Sequence, residues 1–268
     1  MIHCLLIIGK NRYESGLRMI ESADNEQVKI YVIWRGFAKL PAMSGLRRPY
    51  FETVLTNCSV SQGRNILLGV LLKDDLVSNQ DVVCFADDDG LWPSDLIPNL
   101  KTVFDNNISW ALGIYGPLNS IDKKRFPPQP CKSLSLGKLI KRSSSLGIYS
   151  TIGLVRKVGL FDENLGLGSA ISIGEDTDYI LRLKFESNTV FYCPTLVQIH
   201  SYENVRLNSR ELHAMDFYHH LRKKGYPVGF LFLRRSLSLL VKGKINPSQL
   251  FVYIKKWVVR DSNPRPGD

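Results

Sequence analysis

No run of apolar residues in the chain is long enough to span a bilayer. The first apolar stretch, IHCLLII, starts almost at Met1, with neither a basic segment nor a cleavage site before it, so no secretion signal is expected. Cysteine is scarce and without pattern. The five are Cys4, Cys58, Cys84, Cys131 and Cys193, an odd number with no C-x-x-C spacing, and three of them sit inside apolar strand-like runs. That argues against a disulfide scaffold or a cysteine-bound zinc and predicts reduced, mostly buried thiols in a cytosolic protein. Internal repeats are absent. Acidic residues are nearly missing from one region: between positions 206 and 260 twelve Lys or Arg face only Glu211 and Asp216, and the whole net charge of +10 resides there.

What is present is ordinary for a globular protein: 268 residues, 44% hydrophobic and 22% charged, enough for one large domain with an appendage. The runs HCLLIIG, VKIYVIW, FETVLTN, DVVCFAD and SWALGIYG read as strands. ESGLRMIESA, SQGRNILLGVLLK (with Ser61 as N-cap) and SDLIPNLKTVFD (despite Pro98) read as helices between them. This alternation predicts an α/β fold, a mostly parallel central sheet with helices on both faces, and such sheets bind ligands outside the carboxyl ends of their strands. From 117 to 146 the pattern breaks into a Pro-, Ser- and Lys-rich segment, read as either disordered or substrate-covering. A helix from about Thr177 and a strand ending near His200 follow.

Two acidic constellations stand out. In VVCFADDDGLWPSDL an apolar strand ends in Asp87, Asp88 and Asp89, where like charges this close call for a positive partner. Helix capping needs only one Asp, and a turn is better served by the residues further on. A site for a hard divalent cation holding a phosphate-bearing ligand is the third reading. In GEDTDYILRL, Glu175, Asp176 and Asp178 stand at a helix entrance, where carboxylates also suit the helix dipole. Asp178 is assigned to an i,i+4 pair with Arg182, whereas Glu175 and Asp176 follow a run containing Gly166, Gly168 and Gly174 and can serve as a general base. A lone histidine such as His200 is, by itself, more often a surface or satisfied core residue than a ligand.

Taken together, SQGRNILLG, VVCFADDDGLWPSDL, VGLFDENLGLGS followed by IGEDTDYILRL, and YCPTLVQIHS resemble, in that order, the family 2 glycosyltransferases. These are inverting nucleotide-sugar enzymes of the GT-A fold, of the kind that build bacterial surface polysaccharides. The resemblance covers most of the chain. It implies that Asp87 and Asp89 form the D-x-D pair on a Mn²⁺ or Mg²⁺ ion, with Asp87 and Asp88 also near the donor. It further implies that Arg64 and Asn65 lie at the donor nucleotide, that the Glu175-Asp176 pair supplies the catalytic base (Asp176 in preference to Glu175), and that His200 stands near the metal or diphosphate. Two places depart from the family pattern: IWRGF stands where an acidic residue usually follows the second strand, and the first strand ends in GKNR without a proline. No Q-x-x-R-W occurs, which favours single-sugar transfer over processive synthesis.

The implied organisation is a catalytic domain over 1–205, a basic amphipathic helical appendage over 206–260 and a disordered tail over 261–268. The appendage reads either as helices packed on the core with solvated charges or as a surface for anionic membranes. The second reading suits a polyprenyl-diphosphate-linked glycan acceptor and a peripheral place on the cytoplasmic face of the cell membrane. No nucleic-acid motif accompanies the charge. Two alternatives are a catalytically silent membrane assembly partner and a sugar-phosphate nucleotidyltransferase, the latter poorly matched by GKNRYESG.

Overall fold

The computed structural model describes residues 1–43, 45–117, 132–134, 136–141, 143–187, 191–200, 210–227, 229–241, 243 and 245–258. In chain order the elements are β1 (Ile2–Gly9), α1 (Tyr13–Ser22), β2 (Val28–Arg35), β3 (Phe51–Leu55), α2 (Val60–Leu72), β4 (Val82–Asp87), β5 (Gly90–Leu91), α3 (Leu96–Phe104), β6 (Trp110–Gly116), β7 (Lys132–Ser133), α4 (Leu136–Lys141), β8 (Ile148–Thr151), α5 (Ile152–Val158), α6 (Glu175–Ser187), β9 (Phe191–His200), α7 (Arg210–Lys223), α8 (Gly229–Val241) and α9 (Pro247–Val258). They fall into two compact units. One comprises Met1–Ala170 with Glu175–Val205, the other Ile171–Gly174 with Arg206–Asp268.

In the first unit the strands form one sheet in the order β3-β2-β1-β4-β8-β6-β9-β5, with β7 also pairing β9. The four strands from β3 to β4 are parallel, as the alternating pattern predicts. Beyond β4 the sheet is mixed: β8 is antiparallel to β4 and β6, and β9 is parallel to β6. β8 is four residues long and leads at once into α5.

β1 and β2 are buried on both faces because both faces are covered. Leu5, Tyr31, Ile33, Val83 and Phe85 pack beneath Leu67, Leu68 and Leu71 of α2. Cys4, Leu6, Ile8, Val32 and Trp34 pack against Met19 and Ile20 of α1. Gly63 lets α2 lie close on β1, since a methyl group there would stand 2.6 Å from Ile7 Cδ1. The N-cap of α2 is Ser59, not Ser61. Ser59 and Gln62 form a reciprocal capping box, while Ser61 is buried inside the helix and donates to the Leu165 carbonyl at 2.5 Å. Pro98 is tolerated because it falls in the first turn of α3, where its missing N–H has no helical partner to lose.

The expected long irregular segment is partly structured: β7, α4 and a 3₁₀ turn at Ser145–Gly147 lie within it, and 118–131 are outside the described residues. The expected tail, 261–268, is also outside them. Cys4, Cys58 and Cys84 are buried free thiols, whereas Cys193 is disulfide-bonded, which corrects the expectation of five reduced cysteines. In the second unit Met215 of α7, Phe232 and Leu239 of α8 and Ile245 form a small core, against which Leu250 and Tyr253 of α9 pack. Among the described residues no helix is long and apolar enough to cross a membrane.

Candidate active site

The site begins where β8 stops. On β4, β8 pairs only with Val82, Val83 and Cys84, so the last half of β4 has an uncovered edge, and Gln198 of β9 donates to the Phe85 carbonyl there at 3.0 Å. That contact, with the Gly90↔His200 pairing of β5 and β9, brings the end of β9 to the end of β4. The His200 imidazole Nε2 consequently lies 3.0 Å from Asp89 Oδ1 and 3.9 Å from Asp87 Oδ2. One ligating atom from each of the three residues falls within 4.8 Å of the others. Two carboxylates and an imidazole facing one space fit a divalent cation, and the oxygen ligands suit Mn²⁺ or Mg²⁺.

The charges in this cluster are mutually dependent. Hydrogen bonding to Asp89 raises the His200 pKa against the opposing effect of burial, and the same bond lowers that of Asp89. Burial in the cleft pushes Asp87 up to about 6, with Arg64 opposing it, although 38% of its side chain faces the opening. In its protonated form His200 is the counter-charge to Asp89. A cation ligated there would displace the imidazole proton. Asp88 turns from this group to accept the Gly9 amide at 2.9 Å, which fixes the end of β1; burial raises its pKa. Arg12 approaches Asp89 to 3.9 Å.

Glu175 and Asp176 open α6, and Asp178, fully buried two residues further in, is held by Arg182 Nε at 3.0 Å as the i,i+4 spacing predicts. The residue that joins the two acidic constellations is Arg64, buried on α2 with 6% exposure. Its Nη1 donates to Asp176 Oδ1 at 2.7 Å and stands 3.9 Å from Glu175 Oε1. Its Nη2 donates to Ser145 Oγ at 2.7 Å and stands 3.9 Å from Asp87 Oδ1. The rings of Phe161 and Phe85 lie 5.2 and 5.7 Å from the guanidinium carbon. Burial alone would lower the Arg64 pKa; the three carboxylates outweigh it and raise it. Glu175 is pushed up to about 7, first by burial and then by the Asp176 charge. Its carboxyl packs on Gly166 (φ 101°), where a Cβ would come within 3.1 Å of Glu175 Cδ.

Of the residues expected at the site, Asp87, Asp89, His200, Arg64, Glu175 and Asp176 are brought together. Asn65 is not: its amide donates to the Phe161 carbonyl at 3.0 Å and Glu163 Oε1 at 2.9 Å, and its oxygen accepts the Phe161 N–H at 2.7 Å. It clamps the turn before α6. Ser145 was not foreseen, nor was the bridging position of Arg64. Arg64 had left a sign, being the one charged residue in the thirteen of α2.

Arg64→Met is expected to lower the unfolding free energy by about 2 kcal/mol or more, because it leaves the half-buried Asp176 and Glu175 without their cation. Urea denaturation measures this. A loss below about 1 kcal/mol would show the pairing to be peripheral to stability.

No protein-family model and no curated protein sequence matches the chain. Solved structures do. S. aureus TarS superposes with a TM-score of 0.56 at 10% identity, over 95% of this chain and 53% of that one. The mannosyltransferase PcManGT from Pyrobaculum calidifontis, in complex with GDP-Man and Mn²⁺, gives 0.54 at 14% identity, over 95% and 73%. GalNAc-T7 with UDP, GalNAc and Mn²⁺ gives 0.50 at 11%, over 88% and 53%. The chain thus spans about half the length of TarS and of GalNAc-T7. What is common at these identities is the arrangement of strands and helices: the chain has the GT-A-type fold of glycosyltransferases.

Proposed function

We propose that the chain is a metal-dependent, inverting glycosyltransferase that moves one sugar from a nucleoside-diphosphate donor to an acceptor hydroxyl. The observation that carries this reading is the Arg64 bridge, which sets a cation-ligand group and a carboxylate pair within reach of one guanidinium. Asp87, Asp89 and His200 would hold Mn²⁺ or Mg²⁺, which when bound offsets the charge that develops on a leaving diphosphate. Solved structures of this fold carry GDP-Man or UDP together with Mn²⁺, which supports the donor class.

The residues of the chain do the rest. Asp176, anchored by Arg64 and 21% exposed, accepts the proton of the acceptor hydroxyl. The acceptor oxygen bonds to the anomeric carbon as the bond to the diphosphate oxygen breaks, the electron pair leaving with the diphosphate. A single displacement inverts the centre. Glu175, deeper and less readily ionised, shapes the field around Asp176. Incubating the chain with UDP-, GDP- and dTDP-sugars and Mn²⁺ tests this. Release of one nucleoside diphosphate, suppressed by EDTA, is expected; if no donor is consumed, or EDTA is without effect, the reading fails.

The proposed organisation is a catalytic domain over 1–205, a helical appendage over 206–260 and a tail over 261–268. We place the appendage on an anionic membrane at the cytoplasmic face, beside a lipid-linked glycan acceptor in surface-polysaccharide synthesis. In α8, Phe230, Leu233, Leu237 and Val241 recur at three- and four-residue steps and are all exposed, Phe230 by 76% and Val241 by 86%. In α9, Phe251, Val252 and Ile254 are exposed as well. Arg234, Arg235 and Lys255 stand among them. Apolar side chains enter the headgroup boundary while each cation adds about 1 kcal/mol near an anionic surface. Phe230→Asp with Phe251→Asp in the full chain is expected to weaken co-sedimentation with phosphatidylglycerol-containing vesicles roughly tenfold or more. Unchanged binding would remove the membrane from the proposal.

A further inference from the structure

The cleft described above uses the ends of β4, β9 and α6 and leaves the adjoining ends of β1 and β2 without assigned chemistry. With the order β3-β2-β1-β4, the connections diverge between β1 and β4, and ligands settle outside the carboxyl ends beside such a divergence. On the proposed reading, phosphates meet the acidic group after β4 and the transferred sugar lies toward Asp176. The nucleoside then extends the other way, over Gly9 and Arg35, which are paired in register.

Arg35 is half-buried and follows Tyr31 and Ile33 on the face of the sheet that α2 covers, which is also the face of Arg64 and Phe85. A Cβ on Gly9 would stand 3.8 Å from Arg35 Nη2 and 3.5 Å from Asp88 Oδ2, so the missing side chain leaves a slot between guanidinium and carboxylate. Arg12, Arg48, Arg64 and Arg182 each meet a carboxylate. The Arg35 guanidinium makes no hydrogen bond or ion pair with any described residue, and its charge acts at longer range on Asp88 and Cys58.

We propose that Arg35 reads the nucleobase of the donor and selects one that presents two adjacent acceptors on an edge. The guanidinium carries only donors, in a planar fork that matches such a pair. Guanine offers O6 and N7, and cytosine offers O2 and N3. Uracil and thymine interpose an N–H donor between their two carbonyls, and adenine sets a donor beside N7. The donor class is therefore a GDP- or CDP-sugar, not a UDP- or dTDP-sugar. The fold itself does not decide this, since solved structures that share it hold GDP-Man in one case and UDP in another.

Calorimetric titration of the full chain with GDP, CDP, UDP and dTDP in Mn²⁺ tests the assignment, with Arg35→Lys and Arg35→Gln alongside. GDP or CDP is expected to bind about tenfold or more tighter than UDP and dTDP, consistent with the discrimination a bidentate pair provides. Both variants should bring all four nucleotides within about threefold of one another, with the larger loss falling on GDP or CDP. UDP or dTDP binding as tightly as both others would overturn the assignment. So would an equal loss for all four nucleotides in both variants, which would place Arg35 on the phosphates. If none of the four binds in Mn²⁺, the nucleotide-sugar reading falls with it, whereas binding without preference sinks the role of Arg35 alone.

Discussion

Alanine in place of Asp89 is expected to reduce sugar transfer on the order of 10³-fold or more, with loss of Mn²⁺-dependent donor binding. Of the two carboxylates in the cation-ligand group, Asp89 is the more readily ionised: its hydrogen bond to His200 lowers its pKa, and Arg12 stands 3.9 Å away. Asp87 is poorly suited to act alone, because burial pushes it up to about 6 and Arg64 already draws on its charge. Without Asp89, His200 also loses its 3.0 Å hydrogen bond. Titration of Mn²⁺ and donor into the variant, with the thermal midpoint as a control on folding, measures the effect. Wild-type turnover in Asp89→Ala would show that the cation, if required, is held elsewhere.

Asp176→Asn is expected to behave differently, with turnover falling about 10²- to 10⁴-fold while donor and Mn²⁺ affinities stay within about threefold of wild type. The amide keeps an oxygen for Arg64 Nη1 but cannot take a proton at neutral pH. A parallel loss of donor affinity would mean that Asp176 binds rather than reacts. Glu175→Gln provides the comparison. A carboxyl raised from 4.5 to about 7 holds its proton more tightly in the folded chain than in the unfolded one. Its ionisation between those pH values therefore costs stability, which declines as pH rises through about 7. Glu175→Gln should accordingly unfold at a higher temperature than wild type at pH 8, with the gain fading toward pH 4.5. A gain that grows toward acid would reverse the assigned environment.

Much of this was legible in the sequence because it is local. Apolar runs closed by glycine or aspartate mark β1, β2 and β4, and the i,i+4 spacing gives the Asp178–Arg182 pair. The antiparallel entry of β8 was not legible: IYST looks like any short apolar run, and its partners β4 and β6 are chosen by what remains uncovered in the sheet. Capping went astray by two residues because Ser59 and Ser61 are chemically equivalent, and only Gln62, three residues after Ser59, distinguishes them. The partners of Asn65 were hidden for a related reason. Its three hydrogen bonds reach 96 to 98 positions along the chain, and no local spacing records them. The convergence of Asp87, Asp89 and His200 was foreseen only through likeness to a family; nothing in the intervening residues specifies that β9 returns to the end of β4.

Arg64 and Asn65 are consecutive, one gripping the carboxylates and the other the turn at Phe161. A single peptide unit thus ties the seating of that turn to the placing of the guanidinium, and a shift of α2 at this point would disturb both contacts in one movement.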